Sequence, residues 1–275
     1  MQIPNRPPVA VAVNGTAAGL AAVRLAAREA VSRGTSLSVV HAFTWDAAEA
    51  RQAASRFVDE AVRTAQRSTP GVDVQGQLVD GPVASVLRRM SRTAALLVAG
   101  DRDLTGSDLL EVVTQAWCPV LVARGPRPPA GRVLAAVDGS GPSVLALRFA
   151  AEAARRQGRP LDVAIVLGAG GEHRARQILD DVIGAVPGLP PLRRRLLTGT
   201  PAEALVRASR RATVIALGPR GAGGAARFGS VAYELLRHGG CPTVFAHGRR
   251  EPAGQKGAAR QRVETRPLNL PPLLR

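Results

Sequence analysis

The chain has 275 residues, enough for two domains of ordinary size, and with 45% hydrophobic but only 3% aromatic residues its cores must be built from Ala, Val, Leu and Ile. The formal net charge of +16 raises nucleic acid or an anionic membrane surface as a partner, yet Lys256 is the only lysine, so a coding bias towards arginine accounts for part of the basicity. No stretch approaches the roughly 18 apolar residues of a membrane helix, and Met1 to Pro8 has no apolar run behind a basic start, so a soluble cytoplasmic protein is expected.

In chain order, the first half reads as a strand Val9 to Val13, a helix Ala17 to Arg33, a strand Leu37 to Ala42 and a helix Ala47 to Arg67. A short strand Val72 to Leu78, a helix Val83 to Arg92, a strand Ala95 to Ala99, a helix Ser107 to Ala116 and a strand Val120 to Ala123 complete it. Each helix is set off by turn or capping residues, as at Asn14-Gly15-Thr16. After the stiff segment Gly125 to Gly131 the pattern begins again about 124 residues on, with Asp138-Gly139-Ser140 standing for Asn14-Gly15-Thr16. Ala22, Arg24, Ala26, Ala27, Ala30 and Gly34 are matched by Ala146, Arg148, Ala150, Ala151, Ala154 and Gly158. The last strands match too, each behind a Cys-Pro pair at Cys118 and Cys241, which reads as equivalent buried thiols rather than a disulfide.

Domain boundaries follow: repeat one over 1–126, a linker at 127–131, repeat two over 132–248, and a disordered basic tail over 249–275. Alternating strands and helices imply a parallel sheet with right-handed crossovers, and a ligand cleft at the carboxyl ends of the strands.

Several of these segments together resemble the universal stress protein family: Val137-Asp138-Gly139-Ser140, Val40-His41-Ala42, Gly218-Pro219-Arg220-Gly221 leading to Gly229-Ser230-Val231, and Cys241-Pro242. The resemblance spans nearly all of residues 8–247 and, with the duplication, is of the tandem type. It implies two flavodoxin-like, adenine-nucleotide-hydrolase-like α/β domains, each a five-stranded mostly parallel sheet with helices on both faces. The two domains are expected to pack on each other as single-repeat members do in their dimers. The apolar strands near Val120 to Ala123 and Val244 to Ala246 are the expected pairing edge, because an uncovered apolar edge is a liability.

A phosphate needs backbone N–H groups and the positive end of a helix dipole, with glycines to let the backbone approach. Repeat two offers Gly218, Arg220, Gly221, Gly223, Gly224, Arg227, Gly229 and Ser230, with Val231 following, and no carboxylate from Gly218 to Tyr233. Nucleotide-binding members of the family have nine residues between the second and third glycines of this motif, whereas seven separate Gly221 from Gly229. By resemblance, Val137, Asp138 and Val166 would line an adenine and ribose pocket, with Asp138 accepting a hydrogen bond from the base amine or a sugar hydroxyl. The bland alternative is a glycine-rich turn and a serine cap on the last helix. In repeat one only five residues separate Gly100 from Gly106, Asp101 and Asp103 lie where phosphate oxygens would sit, Asp108 faces the helix dipole, and Asn14 replaces the acid. No nucleotide is expected there.

Other signals are weaker. Gly221 to Ala226 fits a dinucleotide pattern only formally, following the fourth strand of its repeat rather than the first. A Walker A loop is excluded, since no lysine lies in the folded part. His41 reads as a satisfied, partly buried histidine, and no metal-ligand spacing occurs. The sequence therefore points to a stress-associated regulatory protein that binds ATP or another adenine nucleotide in repeat two, without catalysis beyond slow ATP hydrolysis. The rival readings are a nucleotide-free module that docks another protein, or a possible homodimer, and, below these, nonspecific nucleic-acid binding through the arginines.

Overall fold

The computed structural model describes residues 6–43, 48–101, 106–125, 131–168, 170–221 and 228–248. Asp103, most of the expected linker, Gly223, Gly224, Arg227 and the tail from Arg249 lie outside the described residues.

Local chemistry sets the helix ends in the same way in both halves. Helix α1 (Ala17–Arg33) follows strand β1 (Val9–Ala12); Thr16 is extended and its hydroxyl accepts the Gly19 N–H at 3.1 Å. The helix stops at Gly34, whose φ of 61° is left-handed and lets its N–H reach back to Ala30 and Val31. In the second half β6 (Arg132–Ala136) leads to α5 (Gly141–Gln157), capped by Ser140 and ended by Gly158 at φ 58°. The duplication is thus visible in the hydrogen bonds as well as in the residues.

The rest of the first half is β2 (Leu37–Phe43), α2 (Ala48–Ser68), β3 (Val74–Asp80), α3 (Val83–Met90), β4 (Leu96–Gly100), α4 (Gly106–Gln115) and β5 (Val120–Ala123). The second continues with β7 (Leu161–Val166), α6 (Gly171–Gly184), β8 (Leu192–Leu197), α7 (Pro201–Ser209), β9 (Ala212–Leu217), α8 (Ser230–His238) and β10 (Thr243–Phe245). Strand β3 starts two residues later than expected, because the chain is still turning at Gly71 (φ 84°) and Val72 is buried ahead of the strand.

All these strands form one sheet in the order β3-β2-β1-β4-β5-β10-β9-β6-β7-β8, parallel throughout except at its middle. There β5 and β10 pair antiparallel, with Val120 opposite Phe245, Leu121 opposite Val244 and Val122 opposite Thr243. The expected pairing edge is the one used: the backbone ladder runs through from one five-stranded half to the other, so that the apolar last strands of both repeats satisfy each other's N–H and C=O groups. The strand order reads the same from either edge in repeat terms, as a local two-fold requires.

Helices α1, α2, α5 and α6 cover one face over Val9, Val11, Leu37, Val133 and Leu161; α3, α4, α7 and α8 cover the other over Leu97, Val120, Ile215 and Phe245. The sheet-facing positions of α1 and α5 are largely alanine, Ala22, Ala26, Ala146 and Ala150 among them, all fully buried. Small side chains let the helix axes lie close to a sheet whose central strands are apolar on both sides. None of the helices among the described residues is long and apolar enough to cross a membrane.

Candidate nucleotide site

Strand β6 lies between β9 and β7, so the carboxyl ends of these three neighbours open at one end of the sheet. Above them lies a cavity of about 950 Å³, at the top of the range for small-molecule sites. Val137 and Asp138 form its floor, beyond the end of β6. Val166 ends β7 on one side, and Gly218, Arg220 and Gly221 follow β9 on the other. Gly229, Ser230 and Val231, at the start of α8, complete the set; each expected site residue that the structure describes lies on this one cavity.

Local geometry explains the residue types. A Cβ at Gly218 would lie 2.6 Å from Pro142 Cβ, in the first turn of α5, and one at Gly221 would lie 2.9 Å from Asp138 Oδ2. Close approach therefore requires glycine at Gly218, whereas at Gly221 a Cβ would have to displace the Asp138 carboxylate end. Gly229 N–H donates to the Pro219 carbonyl at 3.0 Å, which brings the two ends of the glycine loop together, while residues 222–227 between them lie outside the described residues.

Asp138 is set by its own turn: Oδ1 accepts the Ser140 N–H at 3.0 Å and the Ser140 hydroxyl at 2.6 Å. That leaves Oδ2 as the oxygen on the Gly221 side of the carboxylate. Helix α8 opens at Ser230 as expected and lacks the serine cap of the bland alternative. Its N-cap is Gly229, with no side-chain cap bond, and Ser230 is the first helical residue. The first-turn N–H groups, which Thr16 and Ser140 cap in α1 and α5, meet no such side-chain acceptor here.

Sequence reasoning missed four other features of the lining. Arg174, in the first turns of α6, adds a second cation beside Arg220, and Tyr233 and Phe228 add aromatic surface near Ser230. Leu110 comes from α4, in the other repeat, and reaches the cavity only because the sheet is continuous. The position of Phe228 directly before Gly229 and the uniqueness of Tyr233 as the chain's only tyrosine were signals available in the sequence. Nothing in the sequence marks Leu110.

The corresponding end of repeat one is built differently. A Cβ at Gly15 would lie 2.4 Å from the ring of Phe57 on α2, whereas Gly139, its counterpart, faces the smaller Ile178 at 3.1 Å. His41 meets that phenylalanine edge-on, 5.5 Å between centroids, and its Nδ1 is 2.8 Å from the Val13 carbonyl. Asp101 pairs with Arg124 at 3.5 Å. Arg124 crosses to repeat two, donating to the Leu235, Leu236 and Arg237 carbonyls at the end of α8, where a cation suits the dipole.

Both cysteines are buried and neither is in a disulfide; the Cys241 thiol donates to the Pro242 carbonyl at 3.4 Å, and burial above all pushes it up to about 12. No group of His, Cys, Asp and Glu among the described residues could hold a metal ion.

No family model matches the chain. It is 28% identical to universal stress protein Rv2005c of Mycobacterium tuberculosis over 86% of this chain and 96% of that one. It is 26% identical to universal stress protein Rv2623 of the same organism, over 86% and 95%. The fold is shared with a universal stress protein from Archaeoglobus fulgidus, at a TM-score of 0.70 and 18% identity over 90% of this chain and 99% of that one. In sequence over most of its length, and in a fold that joins two such repeats, the chain is related to the universal stress proteins of tandem type.

Proposed function

We propose that the protein is a cytoplasmic stress-response regulator that binds an adenine nucleotide, ATP in the first instance, at the repeat-two cavity, with no nucleotide in repeat one. The observation that supports this reading is the convergence, on one cavity of about 950 Å³, of the nine expected residues that the structure describes. The sugar would lie over Asp138, whose Oδ2 accepts from a hydroxyl, and the base against Val137, Val166 and Ile178. The phosphates would lie over the glycine-flanked start of α8, where uncapped N–H groups and the positive helix end favour an anion. Arg220 adds charge on that side, and Ser230 a donor. The proposed role is binding rather than turnover.

Calorimetric titration of the full chain with ATP tests this, beside a Gly229→Glu variant that sets a carboxylate against the phosphates. Saturable binding that the variant abolishes is the expected result. Absence of binding at millimolar ATP would sink the reading. The seven-residue spacing from Gly221 to Gly229 favours a second reading in that event, a nucleotide-free module whose glycine loop docks another protein.

A further inference from the structure

Charge is unevenly placed among the eight described helices. Helix α1 carries Arg24, Arg28 and Arg33 against one glutamate, and α5 carries Arg148, Arg155 and Arg156 against one. The other six helices have ten arginines and ten carboxylates between them. A coding bias towards arginine raises the number everywhere; it does not gather the whole helical excess on two elements.

These two helices meet across the β5–β10 seam on one face of the sheet. Gln157 Nε2 donates to Glu29 Oε1 at 3.3 Å, and Arg33 lies 5.5 Å over the ring of Phe149. Glu29 is buried in that contact, where it also pairs with Arg33. The glutamate of α5, Glu152, pairs with Arg156 at 3.4 Å. Both carboxylates are thus occupied, and Arg24, Arg28, Arg148 and Arg155 make no ion pair among the described residues. Nε and Nη2 of Arg156 are buried with no hydrogen-bond partner among the described residues. The ridge holds positive charge that the protein itself does not neutralise.

We propose that the α1–α5 ridge is a docking surface for the phosphate backbone of duplex nucleic acid. Each helix has 17 residues, about 25 Å of length, and the repeat relation presents two arginine rows about a local two-fold, the symmetry of a duplex backbone. The guanidinium fork suits phosphate oxygens. An anionic membrane fits less well: an interfacial helix must offer an apolar face, whereas α1 and α5 turn theirs into the sheet and leave Val31 as their one exposed large hydrophobic residue.

The test is a fluorescence anisotropy titration of a labelled, mixed-sequence DNA duplex of about 30 base pairs with the full chain, repeated over a salt series. Four arginines on phosphates give a slope of log K against log salt of about −3 to −4. Arg28→Ala with Arg148→Ala, both exposed positions, is expected to flatten the slope by about 2, and the corresponding lysine pair to keep it. Failure to bind the duplex at low salt overturns the proposal. So does a slope that the double substitution leaves unchanged, which would place the binding charge elsewhere, the tail included. Capture by phosphatidylserine vesicles without duplex binding overturns it as well and assigns the ridge to a membrane.

Discussion

At the scale of single residues, the tightest constraints sit around the cavity. Gly218 faces Pro142 so closely that a Cβ would come within 2.6 Å of it. Gly218→Ala is therefore expected to lower unfolding stability by about 1–3 kcal/mol, read from the midpoint of a urea titration. An unchanged midpoint would show that α5 yields easily there. Cys241 makes a second, independent prediction. Its folded pKa is raised to about 12 from 9.0, so the folded state holds its proton where the unfolded state releases it. The stability this contributes is complete below pH 9 and is lost as pH rises from 9 towards 12. The unfolding midpoint should fall over that window and fall less in Cys241→Ala. A thiol reagent at pH 8 should modify the native protein far more slowly than the unfolded chain.

At the scale of elements, most of the architecture could be read from the residues before any coordinates. Helix α1 was expected at Ala17 to Arg33 and lies there, because a hydroxyl cap and a left-handed glycine bound it. Strand β5 likewise spans Val120–Ala123 as expected. Contacts remote in sequence were harder to read. Ser230 opens α8 as expected, but the bond that ties the Gly229 N–H at the cap position to Pro219 across the loop was not legible in the sequence. The pairing of β5 with β10 was expected from their apolar residues, but that it brings Leu110 of the other repeat to the cavity is not written in any local pattern. The packing beside Gly15 is of the same kind: Phe57 lies 42 positions away in the chain, yet its ring is where a Cβ at Gly15 would be. At the outer edge of the sheet, Gly76 lets α2 lie against β3, where a Cβ would meet Val58 at 2.4 Å. Gly76→Val is expected to loosen α2, seen as faster amide exchange over residues 51–68 with the second half unaffected.

At the scale of the molecule, one sheet and one layer of core on each face run through both repeats, with Leu121 and Val244 paired at their junction. Leu121 is 2% exposed, and Leu121→Ala is expected to cost about 2–5 kcal/mol. Scanning calorimetry should show one transition that moves down as a whole; two separate transitions would mean that the halves unfold independently.

The antiparallel β5–β10 pairing also has an evolutionary consequence. In an assembly of identical subunits, any substitution appears at every symmetric position at once, so one site cannot change its use while the other keeps it. Here the two-fold partner is encoded in the same chain and held by its own strand. A phenylalanine can pack beside the Gly15 turn of one half and a leucine from that half can line the cavity of the other, with neither change imposed on its counterpart. The molecule keeps the shape of a symmetric pair while its two halves are free to specialise separately.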